Sequence, residues 1–237
     1  MLPICQAGEI REAIKSLPGG DRVRLLVNTH WHADHTDGNK AFGPGAVIIA
    51  HENVRAILAN DQTLMGGQTK ALPASALPDV TFPDKMTVYA GGQPIRLVHF
   101  PHAHTDGDVV VFLDGWKVVH MGDMFFNGMF PFIDVTNGGD IDSWVRQLDI
   151  ILGALPPDTK IIPGHGPLAG VADLRAFRDM LSDSADLVRR QMKAGKTLDE
   201  IKAAGVPEKL RPWEKGFLKA PQWFELVYRS LEKSAGR

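Results

Sequence analysis

Apolar residues fall in short runs over the first two-thirds of the chain and at helical spacing over the last third. Residues 9–17 set Ile10, Ile14 and Leu17 on one helical face, and Pro18-Gly19-Gly20 closes that helix. Val23 to Val27 reads as a buried strand, as does the apolar run over residues 46–50, and Glu52 to Ala59 reads as a helix. This alternation predicts an α/β fold with parallel neighbours. Residues 66–83 are rich in Gly, Pro, Ala and Ser and read as a long surface loop, either a lid or a passive connector. Strands follow at Thr87–Tyr89, Ile95–Phe100, Val109–Leu113 and Trp116–His120. Gly91-Gly92 and Asp114-Gly115 mark turns between them, the second being the stronger hairpin sign.

Beyond Gly166 the period changes to that of helices. Leu174, Phe177, Leu181, Val188 and Met192 form one stripe that ends before Gly195. Thr197 with Glu200 is a capping box opening a short helix closed by Gly205. Pro221 begins a last helix with Phe224, Val227, Tyr228 and Leu231 inward. A chain of 237 residues, 44% hydrophobic, can bury a sizeable core. The expectation is one domain over 1–237, with its core at about 9–170 and a helical region at about 171–237.

Composition narrows the partners. A formal charge of −2 and the lack of any dense Lys/Arg run leave no electrostatic footprint for nucleic acid. No apolar run approaches membrane-spanning length, so no membrane partner is expected. Cys5 is the single cysteine, which rules out intramolecular disulfides. Met1 to Cys5 is too short for a signal peptide; the expected compartment is cytoplasmic as the chain stands, and periplasmic if a signal segment lies upstream.

Four apolar runs end in metal-ligand residue types. Val23–Val27 leads to His30-Trp31-His32-Ala33-Asp34-His35, and Ile95–Val98 leads to His104. Val118-Val119 leads to Asp123, and Ile161-Ile162 leads to His165. Imidazoles and carboxylates without thiolate suit zinc, iron or manganese. One residue separates His30 from His32, so an extended backbone points both rings the same way. Asp34 and His35 follow where the chain turns and can face a second ion. His104 could complete one site, His165 the other, and Asp123 could bridge. Trp31 is a candidate wall of the pocket. Phe125 and Phe126, with Met124, Met129, Phe130 and Phe132, suit either an apolar mouth or ordinary core. His51, His99, His102 and His120 are set aside as packing, rim or ligand-orienting residues.

The segments His30-Trp-His-Ala-Asp-His35, His104-Thr-Asp-Gly-Asp108, Gly122-Asp123 and Pro163-Gly-His-Gly-Pro167 resemble the metallo-β-lactamase superfamily, in the expected order over about 23–170. The resemblance implies an αββα sandwich, with His30, His32 and His104 on one zinc ion, Asp34, His35 and His165 on a second, and Asp123 bridging. It also implies an N-terminal β-region that is not evident here, so a first sheet incomplete at that end is expected, either because the sequence is a shortened one or because another chain, in a homo-oligomer, completes it. Asp123 stands where the best-known lactamases carry Cys, which is similar to hydroxyacylglutathione hydrolases, lactonases and general metallo-hydrolases. Two cations sharing a water lower its pKa towards about 7. The expected activity is therefore hydrolysis of a small β-lactam, lactone, ester or thioester by a bridging hydroxide, with Asp34 orienting it and accepting its proton. Alternatives from the same resemblance are a glyoxalase II-like thioesterase, an iron-dependent persulfide dioxygenase and, lower, a phosphodiesterase.

Overall fold

The computed structural model describes residues 7–20, 22–64 and 66–236, so Cys5 lies outside the described residues. Two compact units divide the chain between residues 85 and 86, inside the stretch expected to form the core. Both mix helix and strand, the class the alternating pattern predicts.

The first unit begins with α1 (Ala7–Lys15), which buries none of its residues; Ile10 on its apolar face stays exposed. Its sheet is β1 (Leu25–Val27), β2 (Val47–His51) and β5 (Val80–Phe82), all parallel, in the order β1-β2-β5. Short helical turns α2 (Ala33–Thr36) and α3 (Asn39–Phe42) connect β1 to β2, and α4 (Glu52–Leu58) follows β2. His51 caps α4: its Nδ1 accepts from the Asn53 N–H at 3.2 Å, and its Nε2 lies 2.7 Å from the Pro83 carbonyl oxygen. The stretch 66–83 is not the plain loop its composition suggests. It completes a hairpin of β3 (Gln62–Leu64) with β4 (Gly67–Thr69), buries Leu72, Ala76 and Leu77, and supplies strand β5. Its few large apolar residues do the packing, while most of its Gly, Ala, Ser and Pro residues stay exposed, so composition alone hides the buried part.

The second unit carries a six-stranded sheet among the described residues, ordered β11-β10-β9-β8-β7-β6. Its strands are β6 (Lys85–Ala90), β7 (Gln93–His99), β8 (Val109–Leu113), β9 (Val118–Phe126), β10 (Lys160–His165) and β11 (Ala169–Gly170). β7 to β9 form an antiparallel meander, whereas β10 runs parallel to β9. Both turn signals close hairpins. Gly91 and Gly92 both have positive φ, 58° and 74°, and make the two-residue hairpin between β6 and β7. Asp114-Gly115 begins the 3₁₀ turn that joins β8 to β9, and Arg96 on β7 holds the Asp114 carboxylate in a bidentate pair at 2.6 and 3.0 Å.

One helix has no counterpart in the pattern reading: α5 (Ile141–Ala154), whose Asp140 cap accepts from the Ser143 N–H at 2.8 Å. It buries Trp144, Leu148, Ile151 and Leu152 against β9 and α6 (Val171–Lys193) in one hydrophobic cluster. Then come α7 (Leu198–Ala203), opened by the expected Thr197/Glu200 capping box, and α8 (Ala220–Ala235), which buries Phe224, Val227 and Leu231. No helix among the described residues is long and apolar enough to cross a membrane.

Candidate metal centre

In the first unit the ligand segment hangs from the end of β1. Asn28 extends the ladder by donating its N–H to the Ile49 carbonyl at 3.0 Å, then turns the chain. Its side chain and that of Asn39 donate to each other's carbonyl at 2.8 and 2.9 Å, while Asn39 also donates to the Ala76 carbonyl at 3.0 Å. This buried amide clasp closes residues 28–39 into one loop. His30 and His32 do not lie on an extended strand: residues 29–31 bend, and His32 precedes α2 at φ −60°, ψ 148°. The rings meet all the same, with His30 Nε2 3.1 Å from His32 Nδ1. His35 joins them at 4.2 Å between ring centroids from His30, and its Nε2 lies 3.3 Å from Asp34 Oδ2. The Thr29 hydroxyl, 3.2 Å from His30 Nδ1, orients that ring. His30 and His32 are buried, whereas the Asp34 side chain is 44% exposed.

In the second unit the parallel pairing of β9 with β10 brings Asp123 to His165, with a register shift between Pro163 and His165. Asp123 Oδ2 lies 3.4 Å from His104 Nε2 and 3.3 Å from His165 Nε2. His104 donates its Nδ1–H to the Phe132 carbonyl at 2.8 Å. In the neutral ring Nε2 is then a lone pair facing an anionic oxygen, an arrangement a cation between them stabilises. Gly164 makes room, since a Cβ there would come within 2.0 Å of Asp123 Oδ1. Phe126 stacks on His165 at 4.9 Å, and the Asn127 N–H donates to the His165 carbonyl at 2.8 Å. The donors thus fit divalent metal in both units: convergent imidazole nitrogens in the first, imidazole–carboxylate–imidazole in the second.

Sequence reasoning passed over Asp108. Its carboxylate is fully buried and accepts from the Thr105 N–H at 2.8 Å and the Thr105 hydroxyl at 2.7 Å. Burial pushes its pKa up to about 8, against the lowering effect of those hydrogen bonds. Only its place in the His104-Thr-Asp-Gly-Asp108 segment marked it. Two aromatic expectations need correction. Phe125 is fully buried against Phe177, 5.3 Å between centroids, because alternate residues of β9 face the helices. Trp31 is 2% exposed and belongs to the core of its own unit with Ala50 and Val54. Phe126, also buried, stacks on the candidate ligand His165 directly. Of the histidines set aside, His102 is held at φ 52° beside Asp106, while His120 Nδ1 accepts from the Gly122 N–H at 3.1 Å.

The profile of the metallo-beta-lactamase superfamily matches residues 7–165, and the chain belongs to that superfamily. It is 25% identical over 149 residues to "Metallo-beta-lactamase type 2" of Bacteroides fragilis, covering 63% of this chain and 55% of that one. It is 27% identical over 208 residues to "Hydroxyacylglutathione hydrolase" of Gloeobacter violaceus, covering 85% and 71%. Among solved structures, the inverting sec-alkylsulfatase Pisa1 from Pseudomonas sp. shares the fold at a TM-score of 0.67 and 17% identity, over 94% of this chain and 44% of that one. Against several curated relatives the chain spans only about half their length.

Proposed function

We propose that this protein is a metal-dependent hydrolase of a carbonyl substrate, its two histidine clusters serving one centre for two zinc ions. The observation that carries the reading is the Asp123 carboxylate flanked by His104 and His165 Nε2, with His104 locked through Nδ1. His30, His32 and His104 would hold one ion, Asp34, His35 and His165 the other, and Asp123 both. Bound ions supply Lewis acidity and lower the pKa of a coordinated water towards about 7. Superfamily membership supports the assignment, as do relatives named as a metallo-beta-lactamase and a hydroxyacylglutathione hydrolase.

The net reaction splits an acyl–X bond with one water, giving a carboxylic acid and H–X. Asp34 is the proton carrier: the oxygen of its half-exposed carboxylate that does not hold the ion accepts a proton as water adds to the carbonyl and returns it to the departing group X. His35 Nε2, 3.3 Å away, would take the same ion as Asp34 and so fix where the carboxylate sits. Buried Phe126 excludes water from one face of His165. Metal content and turnover of nitrocefin, a lactone and a thioester on purified protein test the reading. His32→Ala and Asp123→Ala should lose bound metal and turnover together. Full turnover in both variants, or one iron per chain with oxygen consumption, would overturn it.

A further inference from the structure

Phe217 is 55% exposed, yet the turn that presents it is firmly built. Lys219 Nζ donates to the Glu214 carbonyl at 2.7 Å and the Gly216 carbonyl at 3.1 Å. The Phe130 N–H donates to the Trp213 carbonyl at 2.8 Å, tying the preceding residues to the segment after β9. Gly216 packs so closely that a Cβ would meet the Met129 Cβ at 2.8 Å. Phe217 therefore stands in solvent by construction. Its ring centroid lies 6.5 Å from that of His165, tilted by 60°, while Phe126 stacks on the same imidazole at 4.9 Å.

A single exposed apolar residue on a protein surface needs no explanation. A rigidly held aromatic beside an imidazole of the candidate centre does, because its apolar area stays wet until something covers it. We infer that Phe217 forms the subsite for the apolar acyl chain of the substrate. This deepens the proposed hydrolase reading and rests on it for the position of the reacting carbonyl. The occupant is an aliphatic chain: the group offered is apolar, so an acetyl group would leave it wet and a longer acyl group would cover it. The residue comes from the turn before α8, beyond the 7–165 stretch matched by the superfamily profile, so it would distinguish this chain's acyl preference from that of the shared core.

The test has two arms on zinc-loaded protein. In the first, kcat/KM is measured for p-nitrophenyl acetate and octanoate with wild type, Phe217→Ala and Phe217→Leu. The octanoate-to-acetate ratio should fall about tenfold in Phe217→Ala and be largely restored in Phe217→Leu, with zinc content unchanged. The second arm needs no turnover: calorimetry of octanoate and acetate binding should show a preference for octanoate in wild type that Phe217→Ala loses. Equal octanoate preference in wild type and Phe217→Ala, in both arms, would overturn the inference even if every ester is hydrolysed. Octanoate preference lost in Phe217→Ala alongside no ester turnover would uphold the subsite and sink the hydrolase reading, so the two failures are distinguishable.

Discussion

At residue scale, the centre depends as much on groups that are absent as on ligands that are present. Gly164 leaves the space that the Asp123 carboxylate occupies, and the conflicting Cβ would sit 2.0 Å from Oδ1. Gly164→Ala should therefore weaken metal binding by at least roughly 10- to 100-fold, the loss typical of disturbed ligand support, while leaving far-ultraviolet dichroism intact. Chelator competition on the purified variant measures this; an unchanged dissociation constant would show that Asp123 can move without cost. The candidate ligands themselves are legible in the amino-acid sequence, because His and Asp at strand ends are chemically unusual. Their support is not. The Asn28–Asn39 clasp, the Phe132 carbonyl and buried Asp108 act through contacts across 11, 28 and 3 residues, and no local pattern announces the longer two.

At element scale, helices of the second unit are joined by a few buried polar contacts. The Trp223 indole on α8 donates to the Ser184 hydroxyl on α6 at 3.0 Å, both residues being buried. Ser184→Ala leaves that indole N–H without its acceptor, and should cost about 1–3 kcal/mol in chemical denaturation. The α7–α8 contact depends on Glu225, which accepts from Lys202 at 2.6 Å and Arg229 at 2.7 Å. Those cations hold its carboxyl below the ordinary value of 4.5, Lys202 contributing most. A lowered carboxylate pKa means the stabilisation is full above pH 4.5 and fades as pH falls through the depressed folded value. Partial exposure keeps the effect near about 0.5–1 kcal/mol, so Glu225→Gln should lower the Tm by about 1–4 °C at pH 7. The gap between the two proteins should close on acidification below pH 4.5; a gap that widened would contradict the assigned sign. Both α6 and α8 are visible in the sequence as 3.6-residue stripes, whereas α5 is not. Its boundary lies after a Gly- and Asp-rich turn and its partners are on β9 and α6, so only packing reveals it.

At the scale of the whole molecule, metal binding adds stability in proportion to occupancy. With free zinc at about a thousandfold its dissociation constant, one site adds about 4 kcal/mol, and chelation should remove it as a drop of about 8–16 °C in Tm. His32→Ala should show a much smaller drop on the same titration; an equal drop in variant and wild type would mean the metal acts elsewhere. The sequence by itself determined the candidate ligand types, the mixed helix–strand class, the superfamily and the last three helices, because these follow from local periodicity and from rare side chains at distinctive spacings. Tertiary structure alone decided that residues 66–83 contribute a strand, that Phe125 and Trp31 are core, and that Phe217 is held in solvent beside His165. Each of those outcomes turns on which surface a residue meets after folding, and that surface is assembled from segments far apart in the chain.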